Sequence, residues 1–368
     1  GLDLPIAVGL LAGYGIVPTE RTKGCLFAAE LSLEGELRGI HGILPMAVHA
    51  REQGIETMFV SPANAKEALL VDGLKVYAPA TLAELVAFLT GRAECEPAKA
   101  ESISENDDAF GIEDFSDVQG QFMAKRALEI AAAGGHNVLM VGAPGAGKTM
   151  LARRLPSILP VMTKQEALEV TKIYSIAGLL GQNGGLITER PFRSPHHTTS
   201  AAAIIGGGSV PRPGEVTLSH NGVLFLDELP EFAKAVLEVL RQPLEDGVVT
   251  VARVNATLTF PSRMILVAAM NPCPCGWAGD KDRVCNCTPN EIKRYTRKIS
   301  GPLLDRIDIH IRVPRVEYKD LTSVKKSESS AAIRKRVMAA REIQLERLAS
   351  CHAYCNAHMN HAALQKTC

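Results

Sequence analysis

Apolar positions in the first ninety residues form short runs separated by glycine-containing turns. The runs predict strands over residues 25–33 and 57–61, and helices over residues 44–53, 62–71 and 82–89. A further uncharged run, residues 4–17, is too short to span a membrane and predicts a buried strand or helix. These elements together predict a small α/β unit over residues 1–92, and we expect its first strands to precede Gly1.

Strands and helices alternate from residue 115 onward, which predicts a parallel sheet with crossover helices over residues 115–318. Residues 93–114 carry several acids and few large apolar side chains, so we expect an acidic linker there. Residues 319–368 are expected to form a partial helical lid that includes a helix over 329–348. Its predicted apolar stripe consists of Ile333, Val337, Ile343 and Leu348.

The charge balance and the cysteines restrict the class of protein. The 368 residues carry 40 basic and 40 acidic side chains, which excludes a polycationic coat but not a local basic stripe that binds nucleic acid. Nine cysteines, four of them clustered, favour metal binding or free thiols over a secreted disulfide framework. Because no signal segment opens the chain, we expect a cytoplasmic protein without a membrane partner.

The strongest motif is a phosphate-binding loop. An apolar strand runs into the sequence GAPGAGKT, and a helical segment follows, which is the context that GxxxxGK[ST] requires. Lys148 supplies a positive charge to the β- and γ-phosphates, and Thr149 offers a hydroxyl to magnesium. ATP and Mg²⁺ are therefore the expected cofactors. Three glycines let backbone amides turn toward an anion without a Cβ clash: Gly142, Gly145 and Gly147.

Two further strands end in polar side chains that suit the same site. The apolar strand over residues 223–226 ends in Asp227 and Glu228, of which one carboxylate would hold magnesium and the next would polarise an attacking water. The strand over residues 264–269 is followed by Asn271, whose amide would position that water. Taken alone, these residues would be a helix N-cap and a turn residue. The phosphate loop makes the functional interpretation the stronger one.

Arg306 follows a short apolar segment in the sequence LLDRID. One interpretation is an ion pair with Asp305 or Asp308 of the same chain. The other is an arginine finger that reaches the nucleotide of a neighbouring subunit. The residues alone do not decide between the two.

The clustered cysteines form two CxC pairs separated by nine residues. Four thiolates on a short glycine-containing loop can close a tetrahedral zinc site, and the role of such an ion would be structural. The alternative is a set of small buried side chains. The predicted ligands are Cys273, Cys275, Cys285 and Cys287.

Several motifs together resemble one family. The phosphate loop, LFLDE, AMNPCPCG and SGPLLDRID resemble the ComM/YifB proteins, bacterial AAA+ ATPases related to the I subunit of magnesium chelatase. The segments FSDVQGQ and PFRSPHHTTSAAAIIGGG match as well, so the resemblance covers nearly the whole chain. It implies a AAA+ P-loop core of the α/β class. It also implies a nucleotide role for Lys148 and Thr149, a Walker B role for Asp227 and Glu228, a sensor 1 role for Asn271 and an arginine-finger role for Arg306.

The arginine-finger role implies a ring of identical subunits with nucleotide sites between them, and a hexamer is the expected assembly. The family also has a sensor 2 arginine in a C-terminal helix. We do not find that helix in this sequence and expect the chain to end before it.

Two segments resemble inserts of the family and are candidates for DNA contact. Residues 248–252 and 256–260 predict a hairpin similar to the pre-sensor-1 hairpin of ring helicases, in which Arg253 would contact phosphate without reading bases. The second insert contains Arg193, His196 and His197. The alternatives are a hairpin that braces its neighbour and histidines that form turn hydrogen bonds.

The N-terminal unit resembles the Lon protease domain. A Lon-type protease needs a serine nucleophile and a lysine that deprotonates it. The serine position aligns near Gly1 and the lysine position near Met46, within residues 42–49, which contain no lysine. The resemblance therefore implies a retained fold without proteolysis.

For the whole chain, the resemblance implies an ATP-driven DNA motor, a branch-migration helicase that promotes recombination during natural transformation. The alternative is a chelatase-type motor that remodels a protein partner. The absent Ser–Lys pair opposes an ATP-dependent protease, and the intact carboxylate pair opposes an inactive scaffold.

Overall fold

The computed structural model describes residues 2–99, 113–181, 184–208, 211–253, 256–280, 282–316, 327–351 and 353–367. It divides into two compact units. The first comprises Gly1–Asp108 with Lys164–Ile187, and the second Ala109–Thr163 with Thr188–Cys368. Most of the predicted linker, the tip of the predicted hairpin at 254–255 and the start of the predicted lid at 319–326 lie outside the described residues.

The α-helices of the described ranges are numbered in chain order. They are α1 (Asp3–Gly13), α2 (Ile43–Glu52), α3 (Ala65–Ala68), α4 (Leu82–Leu89), α5 (Phe122–Gly134), α6 (Lys148–Ile158), α7 (Lys164–Ala177), α8 (Ala201–Ile205), α9 (Glu215–Leu218), α10 (Lys234–Val239), α11 (Arg241–Asp246), α12 (Pro289–Thr296), α13 (Gly301–Leu304), α14 (Ser330–Leu348) and α15 (His361–Thr367). Within the described part of the chain, no helix is both long enough and apolar enough to cross a membrane.

The strands are numbered in the same way. They are β1 (Cys25–Ala28), β2 (Glu30–Leu31), β3 (Leu37–Arg38), β4 (Thr57–Val60), β5 (Lys75–Tyr77), β6 (Val138–Val141), β7 (Phe192–Arg193), β8 (Gly206–Gly207), β9 (Arg212–Pro213), β10 (Val223–Leu226), β11 (Val248–Arg253), β12 (Ala256–Pro261), β13 (Ile265–Met270) and β14 (Ile309–Arg312).

The first unit contains a parallel sheet in the order β1-β4-β5. Phe27, Phe59 and Tyr77 occupy one register across it, and their rings stack with centroids 5.0 and 5.3 Å apart. The apolar run near the N-terminus forms helix α1, which buries only Leu4 and Val8. Helices α2 and α4 agree with the sequence predictions, and β5 was not predicted.

Helix α7 belongs to the first unit although it comes from the middle of the chain. Its buried Ser175 donates a hydrogen bond to the carboxylate of Glu67 in α3. The same carboxylate accepts from the Leu44 backbone N–H at 2.7 Å and from the Asn64 amide at 3.2 Å. The buried carboxyl group of Glu67 thus has three hydrogen-bond donors from three separate segments, as a buried polar group requires.

The second unit is built on a five-stranded sheet in the order β14-β6-β13-β10-β7, in which all four strand pairings are parallel. Alternate residues of the central strands enter two separate apolar cores. Met140, Phe225 and Val267 face one, while Leu139 and Leu266 face the other. This confirms the predicted parallel α/β core, because a strand buried on both faces is apolar at every position.

The predicted hairpin is present as antiparallel strands β11 and β12, with Val248 paired to Pro261 and Arg253 to Ala256. The predicted C-terminal helix is α14, capped by the Ser329 side chain. Its stripe was predicted correctly at Ile333, Val337 and Leu348 but wrongly at Ile343, which is exposed. Gln344 is buried instead, because its amide donates to the Ala133 carbonyl at 2.9 Å.

Candidate nucleotide site

The phosphate loop joins β6, an inner strand of the sheet, to helix α6. Gly145 and Gly147 have φ of +74° and +89°, a region that side chains with a Cβ rarely adopt. Gly142 is required for a different reason, since a Cβ there would lie 2.3 Å from the Val313 carbonyl oxygen. That glycine lets the chain after β14 approach β6, whereas the other two shape the loop itself.

Lys148 is the first residue of α6, and its side chain reaches back over the phosphate loop. Its Nζ donates to the carbonyl oxygens of Gly142 and Ala143 at 2.6 and 3.1 Å and to Asn271 Oδ1 at 3.2 Å. Burial lowers the pKa of Lys148, while the nearby carboxylates of Asp227 and Glu228 act in the opposite direction. An anion bound in the loop would replace the carbonyl contacts of Nζ with a full negative charge.

Thr149 and Asp227 form the donor set that a magnesium ion requires. Thr149 Oγ1 donates to Asp227 Oδ2 at 2.7 Å, so a hydroxyl and a carboxylate already converge on one point. The residues present therefore fit Mg²⁺ bound with a nucleotide. Such an ion would neutralise charge on the β- and γ-phosphates.

Glu228 follows Asp227 in a left-handed backbone conformation with φ of +52°. Its N–H donates to Asp227 Oδ1 at 2.9 Å, which stabilises this turn and points the two carboxylates in different directions. A left-handed conformation is rare in residues other than glycine and is concentrated at functional sites. Asp227 is thus the acceptor of the Thr149 hydroxyl, whereas Glu228 is exposed to solvent.

His197 lies beside Glu228, with Nδ1 3.5 Å from Oε2. His196 stacks against His197 with ring centroids 4.1 Å apart and bonds to the Thr198 hydroxyl at 2.9 Å. The sequence offered both histidines as DNA contacts, and that remains a prediction. The pairing of His197 with Glu228 was missed, because nothing in the sequence shows which strand end the insert approaches.

Arg306 is paired within the chain, but not with either of the aspartates that the sequence offered. Its guanidinium binds the carboxylate of Glu245 and donates to the Pro302 carbonyl at 2.8 Å. Asp308 instead accepts from the Asn137 backbone N–H at 3.1 Å and bonds to His136. The His136 contact is the main reason that the pKa of Asp308 is lowered.

The remaining candidates for DNA contact lie in different environments. Arg193 forms a two-point ion pair with Glu215 at 2.7 and 2.8 Å. Arg253 is the last residue of β11, at the end of the hairpin strand. To bind a phosphate, the guanidinium of Arg193 would have to release Glu215.

The four predicted zinc ligands are brought together. Their sulfur atoms all lie within 4.8 Å of one another. The individual distances are 3.3 Å for Cys273–Cys275, 3.7 Å for Cys273–Cys285 and 3.6 Å for Cys275–Cys285. The Trp277 backbone N–H is the main reason that the pKa of the Cys275 thiol is lowered to about 6. Burial and the neighbouring cysteines instead raise the pKa of the Cys285 and Cys287 thiols.

Two residues that support the site were not identified from the sequence. Gln121, with φ of +54°, donates to the carbonyls of Ala146 and Pro314 at 3.1 and 2.6 Å and so ties the phosphate loop to the chain after β14. Asn137 donates to the Arg306 carbonyl and accepts from the Leu266 N–H, both at 2.8 Å. Each lies in a segment that matched the family, but no local pattern distinguishes it from an ordinary polar residue.

Three family models match this chain. The model described as magnesium chelatase, subunit ChlI, matches residues 114–321. Models of the same subunit match residues 1–64 and, as its C-terminal part, residues 327–368. The three matches together leave residues 65–113 and 322–326 uncovered.

Among curated proteins, the chain is 45% identical over 359 residues to competence protein ComM of Haemophilus influenzae, covering 96% of this chain and 69% of that protein. It is 43% identical over 349 residues to the uncharacterized protein YifB of Escherichia coli, covering 94% and 67%. A shorter similarity, 30% over 142 residues, links 36% of the chain to 25% of Lon protease 2 of Bacillus subtilis. With its parallel α/β core and converging phosphate-loop residues, the chain belongs to the ComM/YifB family of magnesium-chelatase-like AAA+ proteins.

Proposed function

We propose that the chain is the motor of an ATP-dependent branch-migration helicase that promotes recombination of incoming DNA in natural transformation. The observation that carries the proposal is the 45% identity, over 96% of the chain, to a protein named for competence. The convergence of Lys148, Thr149, Asp227 and Asn271 at one end of the sheet supports the ATPase part of it.

In this proposal each site residue has one task. Lys148 binds the β- and γ-phosphates, and Thr149 with Asp227 holds the magnesium ion. Glu228, open to solvent, accepts a proton from the attacking water, and Asn271 orients that water against the γ-phosphate. Bound Mg²⁺–ATP supplies the phosphoryl group and the charge that these residues stabilise.

The assembly proposed is a ring, with a hexamer as the expected form. Arg306 would leave Glu245 and stabilise the transferring phosphoryl group of a neighbouring subunit. DNA would pass the hairpin of β11 and β12, where Arg253 would contact phosphate, with Arg193, His196 and His197 as further contacts. A cytoplasmic location and a Lon-like unit without proteolytic activity complete the proposal.

A second candidate is a chelatase-type motor that remodels a protein partner. It is favoured by the family models, which are all named for the ChlI subunit of magnesium chelatase. Both candidates use the same nucleotide site, so they differ in what stimulates turnover.

The test is ATP turnover with and without a four-way DNA junction, combined with the mass of the protein in solution. The proposal predicts faster turnover with the junction, a ring-sized mass, and loss of both turnover and junction movement in Lys148→Ala. A ring that hydrolyses ATP at the same rate with or without DNA would overturn the helicase proposal in favour of the chelatase-type motor. Protein without turnover under either condition would overturn the ATPase assignment of this chain.

A further inference from the structure

We propose that Cys273, Cys275, Cys285 and Cys287 bind a single Zn²⁺ ion, and that this ion holds the cysteine loop (residues 273–287) against the phosphate loop. The metal-binding part is independent of the proposed function. The bracing part rests on the proposed nucleotide site.

The sulfur geometry fits one tetrahedral ion. A Zn–S bond of about 2.3 Å in a tetrahedron separates neighbouring sulfurs by about 3.8 Å. The observed separations of Cys273 from Cys285 and of Cys275 from Cys285 are 3.7 and 3.6 Å. All four sulfurs lie within 4.8 Å of one another, a space that one ion fills, and the cysteines are free thiols. The sulfurs are too far apart to be disulfide-bonded, since an S–S bond measures about 2.05 Å.

The surroundings suit thiolates rather than buried apolar thiols. The Ala278 N–H donates to Cys273 Sγ at 3.3 Å. Hydrogen bonds of this kind stabilise the negative charge that sulfur carries when it binds a metal. The alternative of small buried side chains accounts for Cys273, which is fully buried, but not for the other three, which are only partly buried.

The cysteine loop lies directly against the phosphate loop. Gly276 has φ of +86°, and a Cβ added there would lie 2.7 Å from Cδ of Pro144. Asn271, two residues before the first ligand, accepts a hydrogen bond from Lys148 at 3.2 Å. Residues 271–276 therefore include the hydrogen-bond partner of Lys148, the first proposed zinc ligand and the glycine that contacts the phosphate loop.

Two arginines lie over the ring of Trp277, which belongs to the cysteine loop. The guanidinium of Arg283 lies 4.3 Å from the centroid of the Trp277 ring, and that of Arg315 lies 5.3 Å from it. Two positive charges near a zinc ion with four thiolates also offset the net negative charge of that centre. Arg315 follows β14, so its contact with Trp277 connects the cysteine loop to the chain after that strand.

The first experiment measures metal. The full chain is purified without added zinc, and its zinc and iron contents are measured by inductively coupled plasma mass spectrometry. We expect about one zinc per chain, lost in Cys275→Ser/Cys285→Ser and retained in the matched control Cys25→Ser/Cys95→Ser, whose cysteines lie outside the cluster. Co²⁺ added to the metal-free chain should give the visible absorption of tetrahedral cobalt–thiolate coordination. Protein without zinc that also fails to take up Co²⁺, or that contains iron, would overturn the zinc site.

The second experiment measures whether zinc affects the affinity of the phosphate loop for nucleotide. Zinc is removed from the full chain with a chelator, and binding of a fluorescent ATP analogue is compared before removal, after removal and after zinc is restored. We expect the dissociation constant to rise about tenfold without zinc and to recover with it, because misplacing a binding loop by a fraction of an ångström has effects of this size. Unchanged affinity in protein that has demonstrably lost zinc would overturn the bracing. Absence of nucleotide binding in zinc-loaded protein would count against the proposed nucleotide site, while the zinc content would still stand.

Discussion

The guanidinium of Arg306 binds the carboxylate of Glu245 within the same chain. Glu245 lies in α11, three residues before the hairpin strand β11 begins at Val248. The ion pair therefore connects the candidate arginine finger to the base of the candidate DNA hairpin. If Arg306 acts on a neighbouring nucleotide as proposed, its guanidinium must first release Glu245.

Arg306→Ala is expected to lower ATP turnover about 10³-fold, because an arginine finger acts mainly on the transition state. Mixing Arg306→Ala with Lys148→Ala subunits should restore part of the turnover that each variant lacks. In mixed rings some interfaces combine an intact Lys148 from one subunit with an intact Arg306 from the other. Turnover is measured across mixing ratios at constant total protein. Rates that never exceed those of the separate variants would contradict a role in trans.

Glu228→Gln is expected to separate nucleotide binding from hydrolysis. The amide keeps the shape of the side chain but cannot accept a proton from water, so turnover should fall about 10²- to 10⁴-fold while the affinity for ATP is maintained. Lys148→Ala is the contrasting variant, because it removes the charge that binds the phosphates. Equilibrium titration with a fluorescent ATP analogue and single-turnover hydrolysis measure the two properties. Nearly parental turnover in Glu228→Gln would mean that a different residue accepts the proton from the attacking water.

His197 is expected to position Glu228, since its Nδ1 lies 3.5 Å from the carboxylate. His197→Ala should change turnover in the absence of DNA several-fold, because it removes the ring that lies beside the carboxylate. The matched control is His196→Ala, which removes the neighbouring ring that bonds to Thr198. If His197→Ala leaves DNA-free turnover unchanged but weakens DNA binding, the histidine is a DNA contact instead.

Arg253→Ala is expected to weaken DNA binding without changing DNA-free turnover. Removal of a single phosphate contact lowers the magnitude of the slope of log affinity against log salt concentration by about one. It also weakens binding to all DNA sequences alike. Fluorescence anisotropy with a labelled four-way junction at several salt concentrations measures that slope. Arg126→Ala is a suitable control, because this exposed arginine pairs with Glu129 in α5, away from the hairpin. An unchanged slope in Arg253→Ala would favour a hairpin that only braces its neighbour.

The central part of the fold could be predicted from the sequence because its signals are local. Strand β10 is apolar at all four positions, and the phosphate loop carries its own strand, turn and helix. Parallel strands place their carboxyl ends along one edge, so Asp227 and Asn271 were expected near Lys148. The observed hydrogen bond from Lys148 to Asn271 agrees with that expectation.

Other features depend on contacts between distant segments and were not predictable in this way. Helix α7 packs in the first unit because Ser175 satisfies the buried Glu67, a pairing 108 residues apart in sequence. Arg306 selected Glu245 over its adjacent aspartates because Asp308 is occupied by His136 and Asn137. The packing of whole helices and strands decides which partner a charged side chain binds. The periodicity and spacing of residues along the sequence contain no information about that packing.

The buried hydrogen bonds of Glu67 make a prediction about stability that does not depend on function. Glu67→Ala leaves the Leu44 N–H and the Ser175 hydroxyl without their acceptor, so the free energy of unfolding of the first unit should fall by about 3 kcal/mol. The single tryptophan, Trp277, lies in the second unit and reports on that unit by fluorescence. In urea, the far-UV circular dichroism of the variant should show a transition at lower denaturant, while the fluorescence transition stays in place. Glu34→Ala, at an exposed turn position, should leave both transitions within experimental error. Equal shifts of both transitions in Glu67→Ala would mean that the two units unfold as one, and no shift in either would mean that the buried carboxylate contributes nothing to stability.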